Sequence, residues 1–526
     1  MKIRILLLFA TLFICLNSVS GSEKRGIYFA KKKSEIPSSL PQYEDIKNLL
    51  PVPILEENPE WEILYWKAWE IAFSNLMLPP EGSPFTAPWI DEGLSPQIFQ
   101  WDTNLIMFFG RYAYHIFPFI NSHDNFYAQQ HPDGMICRVI NEADGADHVW
   151  GLGPNNARSI NPPLFGWAEV EMYKFTGDKS RLALVLPVLE KYAEWIDKNR
   201  IDKNSPHQLY WSNGQASGMD NTLRDRGRPA PAPDCDEHSA IDPVGWVDMS
   251  SQMAMLYENL SFITNELGCK TKARQYDEKS REIIKRINQF MWNEETGLYH
   301  DVDVDGVQTP WKTVAAFWPM LANASNPAQT RRMVENITDP SLFWRLLPLP
   351  SLAADQETYS VVGKYWLGGV WAPTSYMVVK GLQQEGYNDL AYSISEKFLQ
   401  SMDQVYQKTH TIWECYSPDI YMPSVNESGI MLCKPNFVGW SGLVPISMLI
   451  ENIIGINVDG YTNSIKWNLH RTDRHGIENL RFREVITSLI YEPENKIVRV
   501  VSNNSYLLHV HDKIFDVKSG ENIFKL

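Results

Sequence analysis

Two short stretches carry side chains suited to bond cleavage. Residues 215–226 read QASGMDNTLRDR, with Asp220 in a Gly-rich turn and Arg224 four positions on. Residues 412–418 read IWECYSP and set Glu414 between Trp413 and Tyr416. Cleaving a glycosidic bond takes an acid to protonate the leaving oxygen and a carboxylate acting opposite it. If the second carboxylate activates water, the pair stands roughly 6.5–9.5 Å apart and the anomeric configuration inverts. The turn Ser217-Gly218-Met219 can push Asp220 into a cleft, and aromatic neighbours can tune the Glu414 carboxyl. Taken singly, an acidic residue among 63 is far more often a solvated surface group than a catalyst. The two lie 414 − 220 = 194 positions apart, so only the fold can bring them together.

The elements that must do so are helical. Leu182, Leu186, Leu189, Ala193 and Ile196 recur at helical spacing, as do Met249, Met253, Leu256, Leu260 and Ile263. Ala273, Tyr276, Ser280, Ile283, Ile287 and Phe290 form a third stripe, and Leu390, Ile394 and Phe398 a fourth. Helices end at Gly177, Gly268 and Gly386, and new ones start within a few residues. Such joints force antiparallel pairs, and several pairs over about 390 residues predict a ring of paired helices, an (α/α)-barrel. Neither a sequence repeat nor βαβ alternation is present, which argues against a solenoid or an α/β fold. Long loops at 141–163, 213–244 and 409–437, rich in Gly, Pro, Asp, Asn and Arg, are where the chemistry is expected. After about Gly455 the pattern turns to short β runs, such as 497–501 and 506–511. The expected organisation is a leader at 1–20, a lead-in at 21–60, a helical catalytic domain at 61–455 and a small β appendage at 456–526.

Composition narrows the partners. The chain has 526 residues, 44% of them hydrophobic, and a net charge of −15, which disfavours nucleic acid and anionic polymers as ligands. Lys2 and Arg4 precede an apolar run from Ile5 to Ile14, too short to span a bilayer, and Ser18-Val19-Ser20 resembles a cleavage site. Export is therefore expected, periplasmic or extracellular, with no transmembrane segment. A lipid anchor at Cys15 is the weaker alternative, because Ile14 fits a lipoprotein signal poorly. Five cysteines remain at wide spacing without a C-x-x-C pattern. Cys415 and Cys433 either pair or stay as buried thiols.

Eight segments, two of them within the stretches above, carry a family resemblance. Phe99-Gln100-Trp101-Asp102 resembles an aromatic-Trp-Asp motif, and residues 130–136 (QHPDGMI) a P-x-G-x-[IL] loop. Asn161-Pro162-Pro163 resembles Gln-Pro-Pro, and Ser217-Gly218-Met219-Asp220-Asn221 is similar to S-G-[LMW]-D-[DN]. Val247-Asp248-Met249-Ser250 resembles V-D-L-[NS], and residues 365–371 (YWLGGVW) resemble Y-W-R-G-P-[IV]-W. Residues 413–418 (WECYSP) are similar to W-E-x-Y-x-P, and Gly439-Trp440-Ser441 to G-W-[ST]. Their shared order resembles the clan of trehalases and glycoside hydrolase family 63, which includes processing α-glucosidases and mannosylglycerate hydrolases. The resemblance implies an (α/α)6 barrel, an inverting mechanism, Asp220 as general acid and Glu414 as general base. It favours an exo-acting enzyme on an α-linked terminal sugar, glucose-type first. Leu367 stands where the family usually carries Arg, and Gly369 replaces Pro, which puts the sugar in doubt more than the mechanism.

Supporting roles follow. Asp102 is a candidate to take two adjacent hydroxyls of the terminal sugar, against a helix N-cap. Arg224 is expected to hold the acid or a sugar hydroxyl, against an ordinary loop ion pair. Trp101, Trp366, Trp371, Trp413 and Trp440 are candidate subsite walls, since a pyranose packs its C–H face on aromatic rings. Asp248, near a helix start, reads as a cap. Asp301, Asp303 and Asp305 begin like an EF-hand loop, but Lys312 occupies the twelfth position, so a β-turn is expected. Residues 234–238 (DCDEH) lack metal-ligand spacing. No metal and no cofactor are expected. Two other classes compete: a non-catalytic carbohydrate-binding protein of an uptake system, and a polysaccharide lyase, which the acidic balance disfavours.

Overall fold

The computed structural model describes residues 24–30, 36–148, 159–224 and 245–526. The expected leader with Cys15, and residues 225–244 with Arg226, Cys235 and the 234–238 loop, lie outside the described residues.

The apolar stripes lie on long helices and sort them into two layers. Val247–Glu266 is buried around its whole circumference from Val247 to Tyr257. Its partner Lys270–Phe290 buries only Ala273, Ser280, Ile283 and Ile287 and turns the rest outward. A helix apolar or small on all sides belongs inside; one with a single stripe belongs on the surface. Gln100–Gly110 and Val444–Ile454, the latter wound as a π-helix, are wholly buried as well. Contacts among the inner elements close on themselves. Gln100–Gly110 touches Phe165–Thr176, which touches Val247–Glu266, which touches Trp318–Leu321. That turn touches Ala372–Gln384, which meets Ser441–Leu443 and Val444–Ile454, and these return to Gln100–Gly110. Lys179–Asn199, Lys270–Phe290 and Asn388–Thr409 pack outside the helices that precede them in the chain.

The joints are chemically specified. Gly177 ends Phe165–Thr176 at φ +69°, in the left-handed region, and its N–H donates to Tyr173 O at 2.7 Å. Asp178 then caps the next helix by accepting from the N–H groups of Ser180 and Arg181. Gly268 and Gly386 close the other two expected joints. In the inner layer, Glu451 of the π-helix accepts from Arg111 at 2.6 Å, Tyr112 at 3.0 Å, Tyr376 at 3.1 Å and Lys380 at 3.1 Å. One carboxylate thus ties together Gln100–Gly110's continuation, Ala372–Gln384 and the π-helix.

The C-terminal residues form two sheets. One is antiparallel, in the order Val52–Leu55, His475–Phe482, Val485–Glu492, Ile497–Ser502, Gly520–Lys525. The other has the order Lys513–Val517, Tyr506–Val510, Ser464–Trp467, Ile456–Asp459. The first sheet's edge comes from the lead-in, in register Val52↔Glu478. The lead-in thus completes a sheet made of residues more than 400 positions away.

Candidate active site

Asp220 and Glu414 face one cavity of about 1010 Å³, with Trp101, Asp102 and Trp440 also on its wall. Each is placed by a distinct local device. Asn213 caps the short helix Gly214–Ser217, accepting from Ala216 N at 2.7 Å. Gly218 follows at φ +77°, and a Cβ there would stand 3.0 Å from the Trp101 ring. The turn lies flat on the indole because it has no side chain, and Asp220 emerges two residues later at the cavity. Asn221 ties this turn to the opposite loop, donating to Lys364 O at 3.2 Å and accepting from Trp366 N at 2.8 Å.

Glu414 is held at every polar atom. Its N–H donates to Lys434 O at 2.9 Å, and its carbonyl accepts from Trp440 Nε1 at 2.8 Å and Ser441 Oγ at 3.2 Å. Oε1 accepts from the Tyr365 hydroxyl at 2.9 Å and Oε2 from Lys434 N at 3.0 Å. Each oxygen keeps a further lone pair. Tyr365 itself sits at φ +63°, a costly backbone for a bulky residue. It is held there by Val425 O, which accepts its N–H at 2.9 Å, and by Gly369 N, which donates to its carbonyl at 2.9 Å. A proline at 369 lacks that N–H, so the departure from the family's Pro has a local reason.

The two carboxyls differ in character. Burial pushes Asp220 up to about 7; nearby Arg138 opposes the shift, while Glu427 and Glu414 add to it. Burial also raises Glu414, but the Lys434 N–H and the Tyr365 hydroxyl favour its ionised form. Asp102 lies inside the first turn of Gln100–Gly110, whose N-cap is Phe99, so the cap reading gives way. It is buried, raised well above the usual carboxylate range by burial first and then by Glu414, and its Oδ1 has no partner among the described residues. The cavity's charged lining is otherwise Arg138, Glu427 and Lys434.

Not every expected site residue reaches the cavity. Arg224 is fully buried behind it: its guanidinium donates to Asp301 at 2.8 Å and to Asp248 at 2.8 Å and lies 4.0 Å over the Trp246 ring. It is therefore an ion-pair residue, and no nitrogen faces the cavity. Asp248 serves this clamp instead of capping, and Asp301 is its other half. Asp303 accepts from the N–H groups of Asp305 and Val307, closing a turn. Among the described residues no cluster of three metal-ligating side chains occurs. Trp366 and Trp371 stack on each other at 4.1 Å and 1°, fully buried, with Trp371 edge-on to Tyr365 and Trp440. They form a pillar behind the wall. Trp413 bonds Thr409 Oγ1 at 3.0 Å and is also behind it. Conversely, Arg138, Asn161, Gln215, Tyr365, Glu427 and Lys434 line the cavity without having been singled out. Tyr365 and Asn161 sit inside motifs that were quoted; Glu427 and Lys434 sit in a loop with no spacing signal.

Residues 121–420 match the mannosylglycerate hydrolase MGH1-like glycoside hydrolase domain. An uncharacterised protein of Borreliella burgdorferi is 27% identical over 373 residues, spanning 70% of this chain and 74% of that one. A periplasmic trehalase of Escherichia coli is 24% identical over 369 residues, 60% of this chain and 62% of the trehalase. Among solved structures, the family 63 mannosylglycerate hydrolase of Thermus thermophilus in complex with glucose superposes with a TM-score of 0.56 at 20% identity. The match covers 73% of this chain and 99% of that one. Among the described residues no helix is long and apolar enough to cross a membrane.

Proposed function

The chain belongs to the mannosylglycerate hydrolase MGH1-like glycoside hydrolases, and from that premise we propose that it removes an α-linked terminal sugar with inversion of configuration. The observation that carries the reading is the contrast between two carboxyls on one cavity. Asp220, raised to about 7, holds a proton near neutrality; Glu414 is also raised by burial, but it takes two hydrogen bonds that oppose the shift and favour its anion. In the proposed step Asp220 gives its proton to the glycosidic oxygen as the C–O bond breaks. Glu414 takes a proton from a water that attacks the anomeric carbon from the other face. Asp102 accepts from hydroxyls of the terminal sugar, and Trp101 and Trp440 carry its apolar face. Arg224, Trp366, Trp371 and Trp413 support the wall from behind. The closed circuit of inner elements supports an (α/α)6 barrel spanning residues 61–455, with 456–526 as its appendage. The apolar leader and the periplasmic relative support export. The cavity wall carries four carboxyl side chains against two cations, Arg138 and Lys434, a balance that suits a neutral sugar better than a uronate and weighs against a lyase.

The purified chain is to be screened against α- and β-linked disaccharides and glycosides, trehalose and mannosylglycerate among them. The expected result is release of reducing sugar from an α-linked member, lost in Asp220→Asn and Glu414→Gln. Thermal stabilisation by a sugar with no hydrolysis across the panel would instead establish a binding protein.

A further inference from the structure

One pair of reactive side chains stands against the catalytic wall without a part in hydrolysis. Cys415 follows Glu414 directly, and Cys433 precedes Lys434, whose backbone holds Glu414 on both sides. Ser424 lies between the two segments: its N–H donates to Cys415 O at 3.0 Å, and its carbonyl accepts from Cys433 N at 2.9 Å. The two sulfurs face each other across this ladder, 2.9 Å apart, both buried and both free thiols. A disulfide is about 2.05 Å long, so closing the bond takes a displacement on the order of an ångström. Cys433, though buried, is among the residues that line the cavity, so the cavity is the side from which a small reagent approaches the pair.

We propose that Cys415 and Cys433 are a modification site, a thiol pair that exchanges with a small disulfide or an oxidised dithiol to form a cross-link beside Glu414. Cys433 is the entry point, because of the two only Cys433 lines the cavity; burial and the facing Cys433 keep the resting Cys415 thiol protonated. The Cys433 sulfur attacks the reagent's S–S bond, giving a mixed disulfide and one released thiol. The Cys415 thiol then gives its proton to the departing sulfur as its own sulfur attacks Cys433 Sγ, and the second half leaves as a thiol. Two protein thiols and one reagent disulfide become one protein disulfide and two reagent thiols, so electrons and protons balance. The bond closes a loop of 433 − 415 = 18 positions that carries Asn426, Glu427 and Leu432 on the cavity wall. Both residues that flank the base and its backbone donor are then fixed to each other, and the unfolded chain loses freedom.

The test uses the full chain, incubated either with oxidised glutathione or with a phosphine reductant. Unreduced peptide mapping is expected to give one linked pair containing Cys415 and Cys433, with the free thiols assigned to those two peptides lost together. The oxidised form is expected to melt higher by about 3 °C. In Cys415→Ala/Cys433→Ala neither reagent is expected to shift the melting temperature. Failure to link these two residues while the exposed Cys269 is glutathionylated would overturn the proposal, as would a link from either to a different cysteine. Mass mapping needs no sugar, so this outcome is independent of whether hydrolysis is found.

Discussion

In Asp220→Asn the side chain keeps its size and loses its exchangeable proton. Two effects of opposite sign follow. General acid catalysis contributes about 10²–10⁴ in rate, so kcat falls by that factor, about 3–5.5 kcal/mol in activation free energy. Stability moves the other way. Folding lifts Asp220 from 3.8 to about 7, about 3 units at 1.36 kcal/mol each, an upper limit of about 4 kcal/mol. Asp220 opens on the cavity and is reached by water, which we take to reduce this to roughly 2 kcal/mol. A raised carboxyl favours the folded state while protonated. The wild-type contribution is therefore full below about pH 4, falls as pH rises, and is gone above about pH 7. Asn does not ionise. The melting temperature of the variant minus that of the wild type should be near zero at pH 4, grow through pH 5–7 and level off at pH 8. Scanning fluorimetry at those values, in one buffer ionic strength, reads it directly. A difference that is flat with pH, or that shrinks as pH rises, would refute the assignment of a raised, proton-bearing Asp220.

Other consequences are simpler. Tyr365→Phe removes a donor that favours ionised Glu414, so the Glu414 carboxyl rises further. The acid limb of the kcat–pH profile should move to higher pH with kcat about tenfold lower; an unmoved limb contradicts that role. Arg224→Met leaves Asp248 and Asp301 buried without their cation, and urea denaturation should show a loss of about 3–5 kcal/mol. Loss of sugar affinity at unchanged stability would return Arg224 to the binding role expected from sequence.

Much of the scaffold was legible because helix faces are periodic. The stripe from Leu182 to Ile196 and the glycines at 177, 268 and 386 are local signals that tertiary packing did not override. The candidate acid and base were legible because each sits in a short motif, Ser217–Asn221 and Trp413–Pro418. What escaped depends on distant partners. Arg224 lies in the same stretch as the acid, residues 215–226, yet its carboxylates come from positions 248 and 301. Tyr365 adjoins the chosen Trp366, but its left-handed backbone turns the phenol, not the indole, toward Glu414. Lys434 acts through its backbone, which no side-chain pattern can reveal. Val52–Leu55 pairs only because the last residues of the chain build the sheet it joins.

The anomeric configuration of the first-formed sugar is the most direct measurement. Once the panel yields a substrate, proton NMR recorded before mutarotation should show the β-anomer released from an α-linkage. Initial release of the α-anomer would mean that water is not delivered by Glu414 opposite Asp220, and the proposed division of labour between them would fall.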